Sequence, residues 1–156
     1  MVTKTRKNKI LDFLAMTLQE IFNRLNEIAK KQPNICDIID TGNIYDLNSK
    51  REAKFGVFCV TQGTHTYDAE NAVTSFNLII YYVDRLKDNA DNKIQIQSIG
   101  IETLKNILLT LSKTEDVDIS ECNFNVFTES FSQLCAGAYA TVRINSFDEG
   151  CVENFE

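Results

Sequence analysis

Val73-Thr74-Ser75-Phe76-Asn77-Leu78-Ile79-Ile80-Tyr81-Tyr82-Val83-Asp84 is the stretch on which the fold turns. Side chains along a strand alternate between two faces. On that reading Phe76, Leu78, Ile80 and Tyr82 share one face. The other face starts polar, with Ser75 and Asn77, and ends apolar, with Ile79, Tyr81 and Val83. A strand that is apolar on both faces belongs inside a sheet covered on both sides. A helix is one expected cover. The other is either the first helix of the chain or another chain.

The segments on either side supply candidates. Ile10, Phe13, Leu14, Leu18, Ile21, Leu25 and Ile28 recur at steps of three and four, with Phe22 and Ala29 widening the stripe. This spacing predicts an amphipathic helix over 10–31, ended by Gln32-Pro33 because the residue before proline disfavours the helical region. A polar connector follows from Asn34 to Lys54. It holds the turn signal Thr41-Gly42-Asn43 and a short apolar run, Ile44-Tyr45-Asp46-Leu47, read as a strand. Phe55 to Thr61 reads as a firmer strand, and Gln62 to Asn71 as a hairpin loop.

Beyond Asp84 a polar turn leads to a second helix over 92–113. Ile101, Leu104, Leu108 and Leu111 carry its stripe, Ile94 and Ile107 extend it, and Asp91 or Asn92 is the N-cap. Ile94-Gln95-Ile96-Gln97 alternates like a strand, but it joins the periodic segment without punctuation and is read as helix. Two last strands are expected near 123–130 and 137–147. In the second, Ala138, Ala140, Val142 and Ile144 alternate with Tyr139, Thr141, Arg143 and Asn145. The order is helix, two or three strands, helix, two strands. It predicts one α+β domain over 1–156, with a mainly antiparallel sheet of four or five strands packed with two helices.

The bulk properties narrow the function. With 156 residues, 44% hydrophobic and 24% charged, the chain is long and apolar enough to build a core without staples. The net charge of −6 argues against a partner held by phosphate neutralisation. Lys4, Arg6, Lys7 and Lys9 form a basic tail over 1–9, and Asp148, Glu149, Glu153 and Glu156 an acidic one over 148–156. These are either solvated tails or opposite-sign arms that dock on neighbouring copies. No run of apolar residues is long enough for a membrane span, and Asp12, Gln19 and Glu20 interrupt the N-terminal apolar run, so neither a membrane partner nor secretion is expected. The cysteines at 36, 59, 122, 135 and 151 are odd in number and include no Cys-x-x-Cys pair. Reduced thiols in a cytosolic compartment are expected.

Motifs for chemistry are missing. His65 is the single histidine and sits in a polar loop. The cysteine spacings do not suit zinc. Asp84, Asp88 and Asp91 lack the glycine and distal glutamate of a calcium loop. Phosphate-binding, dinucleotide-binding and nucleophile-elbow motifs are absent. Cys135 has no general base near it in sequence. No catalytic, cofactor-binding or metal-binding residue is assigned, and no cofactor is expected. The aromatic strands point instead to association. Ile79, Tyr81, Val83, Arg85, Tyr139 and Arg143 are the candidate subunit interface.

The run Ser75 to Leu86, then Asn92, Gln97-Ser98, a leucine-rich helix, and Phe131 with Leu134-Cys135-Ala136-Gly137 and the strand to Ile144 resemble small virion proteins of tailed bacteriophages. The likeness is to those of crAss-like phages that infect Bacteroides. The element order resembles tail terminator and head–tail connector (neck) ring proteins. The resemblance covers roughly 55–145 and implies no catalysis. It implies a homo-oligomeric ring of six or twelve copies at the portal–tail junction of a virion, assembled in the host cytoplasm. Portal, neck-ring and tail proteins would be its partners, and genomic DNA would pass without specific binding. Two other readings stay open on the residues alone: a small monomeric binding module, and a hydrolase using His65 or Cys135.

Overall fold

The computed structural model describes residues 16–49, 54–87, 91–114, 117–131 and 133–148. Both charged tails, apart from Asp148, lie outside the described residues. Helix α1 runs over Leu18–Lys30 and buries Ile21, Leu25 and Ala29 at steps of four. It starts later than the apolar period suggests. Thr17 is extended (φ −81°, ψ 163°), and its Oγ1 accepts from the Glu20 backbone N–H at 3.2 Å. The Thr17 hydroxyl in turn donates to Glu20 Oε1 at 3.1 Å. The threonine thus satisfies one helix N–H that otherwise has no partner. The earlier part of the expected helix, 10–15, lies outside the described residues.

Strand β1 is Asp37–Ile39, inside what the sequence presents as a polar connector. Ile44–Asn48 is a 3₁₀-helix and not the expected strand. Ile44 and Leu47 are three residues apart and therefore eclipse on one side of such a helix, where both are buried. Asn43 caps it, its Oδ1 accepting from the Tyr45 N–H at 3.0 Å. Strand β2 is Val57–Gln62, β3 is Thr66–Asp68 within the expected hairpin loop, and β4 is Val73–Arg85. Helix α2 is Lys93–Thr114; β5 is Asp118–Ser130 and β6 Leu134–Phe147. Four strands precede α2, one more than the sequence suggests at most. Among the described residues the protein is α+β, with two α-helices and a six-stranded, mostly antiparallel sheet.

The sheet order is β1-β2-β4-β6-β5, with β3 beside the start of β4. Only β1 and β2 pair in parallel; every other ladder is antiparallel. Strand β4 is central, paired to β2 on one side and to β6 along its whole length, from Val73↔Phe147 to Arg85↔Cys135. Strands β4 and β5 therefore run the same way, and α2 is the crossover of a split β–α–β unit whose gap is filled by β6.

Both helices cover the same face. One core joins Ile21, Leu25 and Ala29 of α1 to Leu104, Ile107, Leu108 and Leu111 of α2 and to Phe58, Val60, Leu78, Ile80, Tyr82, Ala138, Ala140, Val142 and Ile144 beneath. The alanines of β6 let α2 approach closely: a Cβ on Gly100 would lie 3.0 Å from the Tyr82 ring and 3.1 Å from Ala138 Cβ. Ile94, counted in the helix stripe from sequence, points outward and is 72% exposed, whereas Ile96 is buried. Asn92 does not cap α2 with its side chain. Its carbonyl accepts the first helical bond, from Ile96 N–H, while its amide group staples the end of β4: Oδ1 accepts from Lys87 N–H at 3.0 Å and Nδ2 donates to the Arg85 carbonyl at 3.4 Å.

Candidate functional site

With both helices on one side, the first helix is not the second cover that the two-faced strand requires. A smaller cluster does part of that work. Ile44 and Leu47 of the 3₁₀-helix pack with Ile39, Val57, Cys59, Val83 and Cys135, with Phe55, Tyr81, Phe127 and Phe131 at its margin. Among the described residues the cover ends there. Beyond it the sheet carries Thr61, Ile79, Tyr81, Tyr139, Thr141 and Arg143, all half-buried, and Asn123 and Asn125, which are exposed.

The register brings the aromatic residues of this open face together. Tyr81 stands opposite Tyr139, and Gly137 opposite Phe127. Ring centroids are 5.5 Å apart for Tyr81–Tyr139, 6.0 Å for Tyr81–Phe127 and 6.2 Å for Phe127–Tyr139. These separations suit tilted and edge-on aromatic contacts. Gly137 makes room for the group, since a Cβ there would run into the Tyr82 carbonyl and come within 3.0 Å of the Phe127 ring. Burial, then the neighbouring Tyr139, push the Tyr81 phenol above its ordinary pKa of 10.0. The hydroxyl thus stays a neutral hydrogen-bonding group.

Polar residues frame the patch. Arg143 donates from Nε to Asn77 Oδ1 at 3.3 Å, and its Nη1 lies 3.6 Å from Glu121 Oε1. A shallow pocket of about 190 Å³ beside them is lined by Gly63, Asn77, Ile79, Asn123, Thr141 and Arg143, among others. At the other end Arg85 lies over the Phe55 ring at 5.6 Å and donates to Gln133 Oε1 at 3.1 Å.

Of the six residues singled out from sequence, the structure puts Ile79, Tyr81, Tyr139 and Arg143 on one continuous surface. Arg85 sits apart at the strand end, and Val83 is fully buried under the 3₁₀-helix and does not reach the surface. Phe127 and Glu121 belong to the surface and were missed. Their side of β5 follows only from the pairing of β5 with β6.

The residues weighed for chemistry have structural positions. His65 Nδ1 accepts from the Asn77 backbone N–H at 3.2 Å, Nε2 meets Gln62 Oε1 at 2.9 Å, and the ring packs edge-on against Phe76. The histidine thereby holds the β2–β3 loop to β4. Cys59 and Cys135 are buried free thiols. Burial, first, with help from nearby carboxylates, pushes Cys59 up to about 12 and Cys135 to about 11. Such thiols are not nucleophiles near neutral pH. Asp88 of the acidic turn lies outside the described residues. Among the described residues no three His, Cys, Asp or Glu side chains are placed to hold a metal ion, and no helix is long and apolar enough to cross a membrane.

A scan against protein-family models finds none that matches the chain, and a search of curated proteins finds no match either.

Proposed function

We propose that the protein is a virion structural subunit that forms a ring at the portal–tail (neck) junction of a tailed phage, joining head to tail around the DNA channel. The observation that carries this reading is the aromatic patch of Tyr81, Tyr139 and Phe127, which sits half-buried where the second cover of the sheet stops. Tyrosine and phenylalanine on an open sheet, framed by Arg143 and Glu121, have the composition of a protein–protein contact: aromatic and arginine at the centre, polar at the rim. A net charge of −6 suits a wall past which DNA must move, because like charge suppresses adsorption. The likeness of Ser75–Leu86 and its flanks to virion neck proteins supplies the biological setting.

Native mass spectrometry and light scattering test the reading. The expected result is a closed oligomer, or a monomer that assembles on purified portal or tail complexes. A chain that stays monomeric and also fails to join those complexes would overturn it.

A further inference from the structure

The two edges of the sheet are unlike. On one side β1 offers three residues, and the margin beyond it is divided between the end of β2 and β3. On the other side β5 runs for 13 residues, and among the described residues it pairs with β6 alone. Alternate N–H and C=O groups on its outer side therefore have no ladder partner. Such an edge is a template for another strand, and proteins usually blunt it with lysine, proline or a bulge. Strand β5 has no lysine and no proline, and its one register shift, between Ile119 and Glu121, lies near its start. From Cys122 to Thr128 it is uncharged and in unbroken register. Val126 on this stretch is 49% exposed, and a groove of about 480 Å³ is lined by Ile119, Cys122 and Phe124 of β5 and by apolar and polar residues of α2, Leu109 and Lys105 among them.

Charge selects what fits. Strand β5 carries Asp118, Glu121 and Glu129 and no cation. A second β5 laid against it antiparallel would gather three carboxylates at each end of the pair, which like-charge repulsion disfavours. The acidic stretch from Asp148 to Glu156 fails for the same reason. Lys4, Arg6, Lys7 and Lys9 supply the opposite sign, in a stretch that also holds β-branched Val2, Thr3 and Thr5 and has neither proline nor glycine.

We propose that the outer edge of β5 accepts residues 2–9 of a second copy as an added strand. Main-chain hydrogen bonds would supply affinity, and the basic side chains would lie in the negative field of Asp118, Glu121 and Glu129. The proposal rests on the reading of the chain as a self-associating ring subunit. It gives that ring a head-to-tail contact in which an arm of one copy meets an edge of the next.

The test uses a fluorescent peptide of residues 2–9 and the full chain carrying Lys4→Glu, Arg6→Glu, Lys7→Glu and Lys9→Glu, so that its own arm does not compete. Saturable binding by anisotropy is expected, with slowed hydrogen exchange of the β5 amides. Glu121→Lys with Glu129→Lys in this receptor should weaken binding by about tenfold or more, and the same edge variant with its native basic arm should bind a peptide that has glutamate at the four basic positions. Glu121 faces Arg143, so Glu129→Lys alone, at an exposed carboxylate, is the variant whose thermal unfolding should match that of its parent, and it should weaken binding on its own. No binding, equal binding of a scrambled peptide, or unchanged exchange in β5 would overturn the proposal. Native mass spectrometry separates the two readings. An oligomer that persists unchanged with the reversed arm keeps the ring and overturns the arm contact. Peptide binding to a chain that neither self-associates nor joins neck complexes keeps the contact and overturns the ring.

Discussion

Leu78, Ile80 and Tyr82 on one face of β4, and Ile79, Tyr81 and Val83 on the other, come from the same six residues of chain and are almost equally apolar. Their surroundings differ completely. The first three lie under two helices and are sealed. On the second face Val83 alone is sealed, by the five-residue 3₁₀-helix, while Ile79 and Tyr81 remain half-open. Apolar alternation thus sets which side chains share a face, but not how each face is covered. A face that is apolar and only partly covered is where a second molecule gains most by binding, since the apolar area is still there to remove from water.

The sharpest way to break the contrast is to hollow out the helix side. Leu104→Ala and Leu108→Ala are each expected to cost about 2–5 kcal/mol in urea denaturation, as buried leucines do. A loss well under 1 kcal/mol at both would mean that the helices contribute little to the core. Overfilling the same layer should cost less: Gly100→Val is expected to destabilise by about 1–3 kcal/mol, because its side chain meets the Tyr82 ring and Ala138.

Alkali probes the seal over Val83. Cys59 and Cys135 keep their protons in the fold to about 12 and 11, against 9.0 for a free thiol. Above about pH 9 the unfolded chain releases protons that the folded chain retains, so stability should fall as pH rises. Denaturation curves between neutral pH and pH 10.5 should show the decline, and Cys59→Ala with Cys135→Ala should flatten it.

On the open face the expectation reverses. Tyr81→Ala or Tyr139→Ala should cost about 1 kcal/mol of stability, yet weaken association by tenfold or more in light-scattering titrations. A full loss of folding would assign these rings to the core instead. The smallest effect is expected at Lys105, whose pair with Glu102 at 3.2 Å is exposed: Lys105→Ala should shift stability by about 0.5 kcal/mol or less.

Long elements were legible in the sequence because their periods repeat. Val73–Arg85 alternates over 13 residues, and the stripe of α2 holds from Ile101 to Leu111. Short ones were not. Three residues of β1 or β3 cannot establish a period, and their strand state comes from the neighbour they pair with. Ile44 and Leu47 were misread, although a step of three is the 3₁₀ signature. Thr17-x-x-Glu20 marked the described start of α1 but was overrun by the apolar period before it. Ile79, Tyr81, Tyr139 and Arg143 of the candidate surface followed from the parity of β4 and β6. Phe127 did not, because its side of the sheet depends on a register set across the β5–β6 hairpin.

The ladder between β4 and β6 has one more consequence, for the order in which the chain becomes a protein. Strand β4 is flanked by β2, made before it, and by β6, the last of the described elements to be made. Until Leu134–Phe147 has been synthesised, β4 has an unpaired edge and two apolar faces, and α2 has no alanine-lined floor to settle on. Contacts so distant in sequence form slowly, and unfinished chains with bare strand edges aggregate. Chains stalled before Leu134 should therefore be protease-sensitive and prone to self-pairing, and the last hairpin is the step that commits the whole sheet.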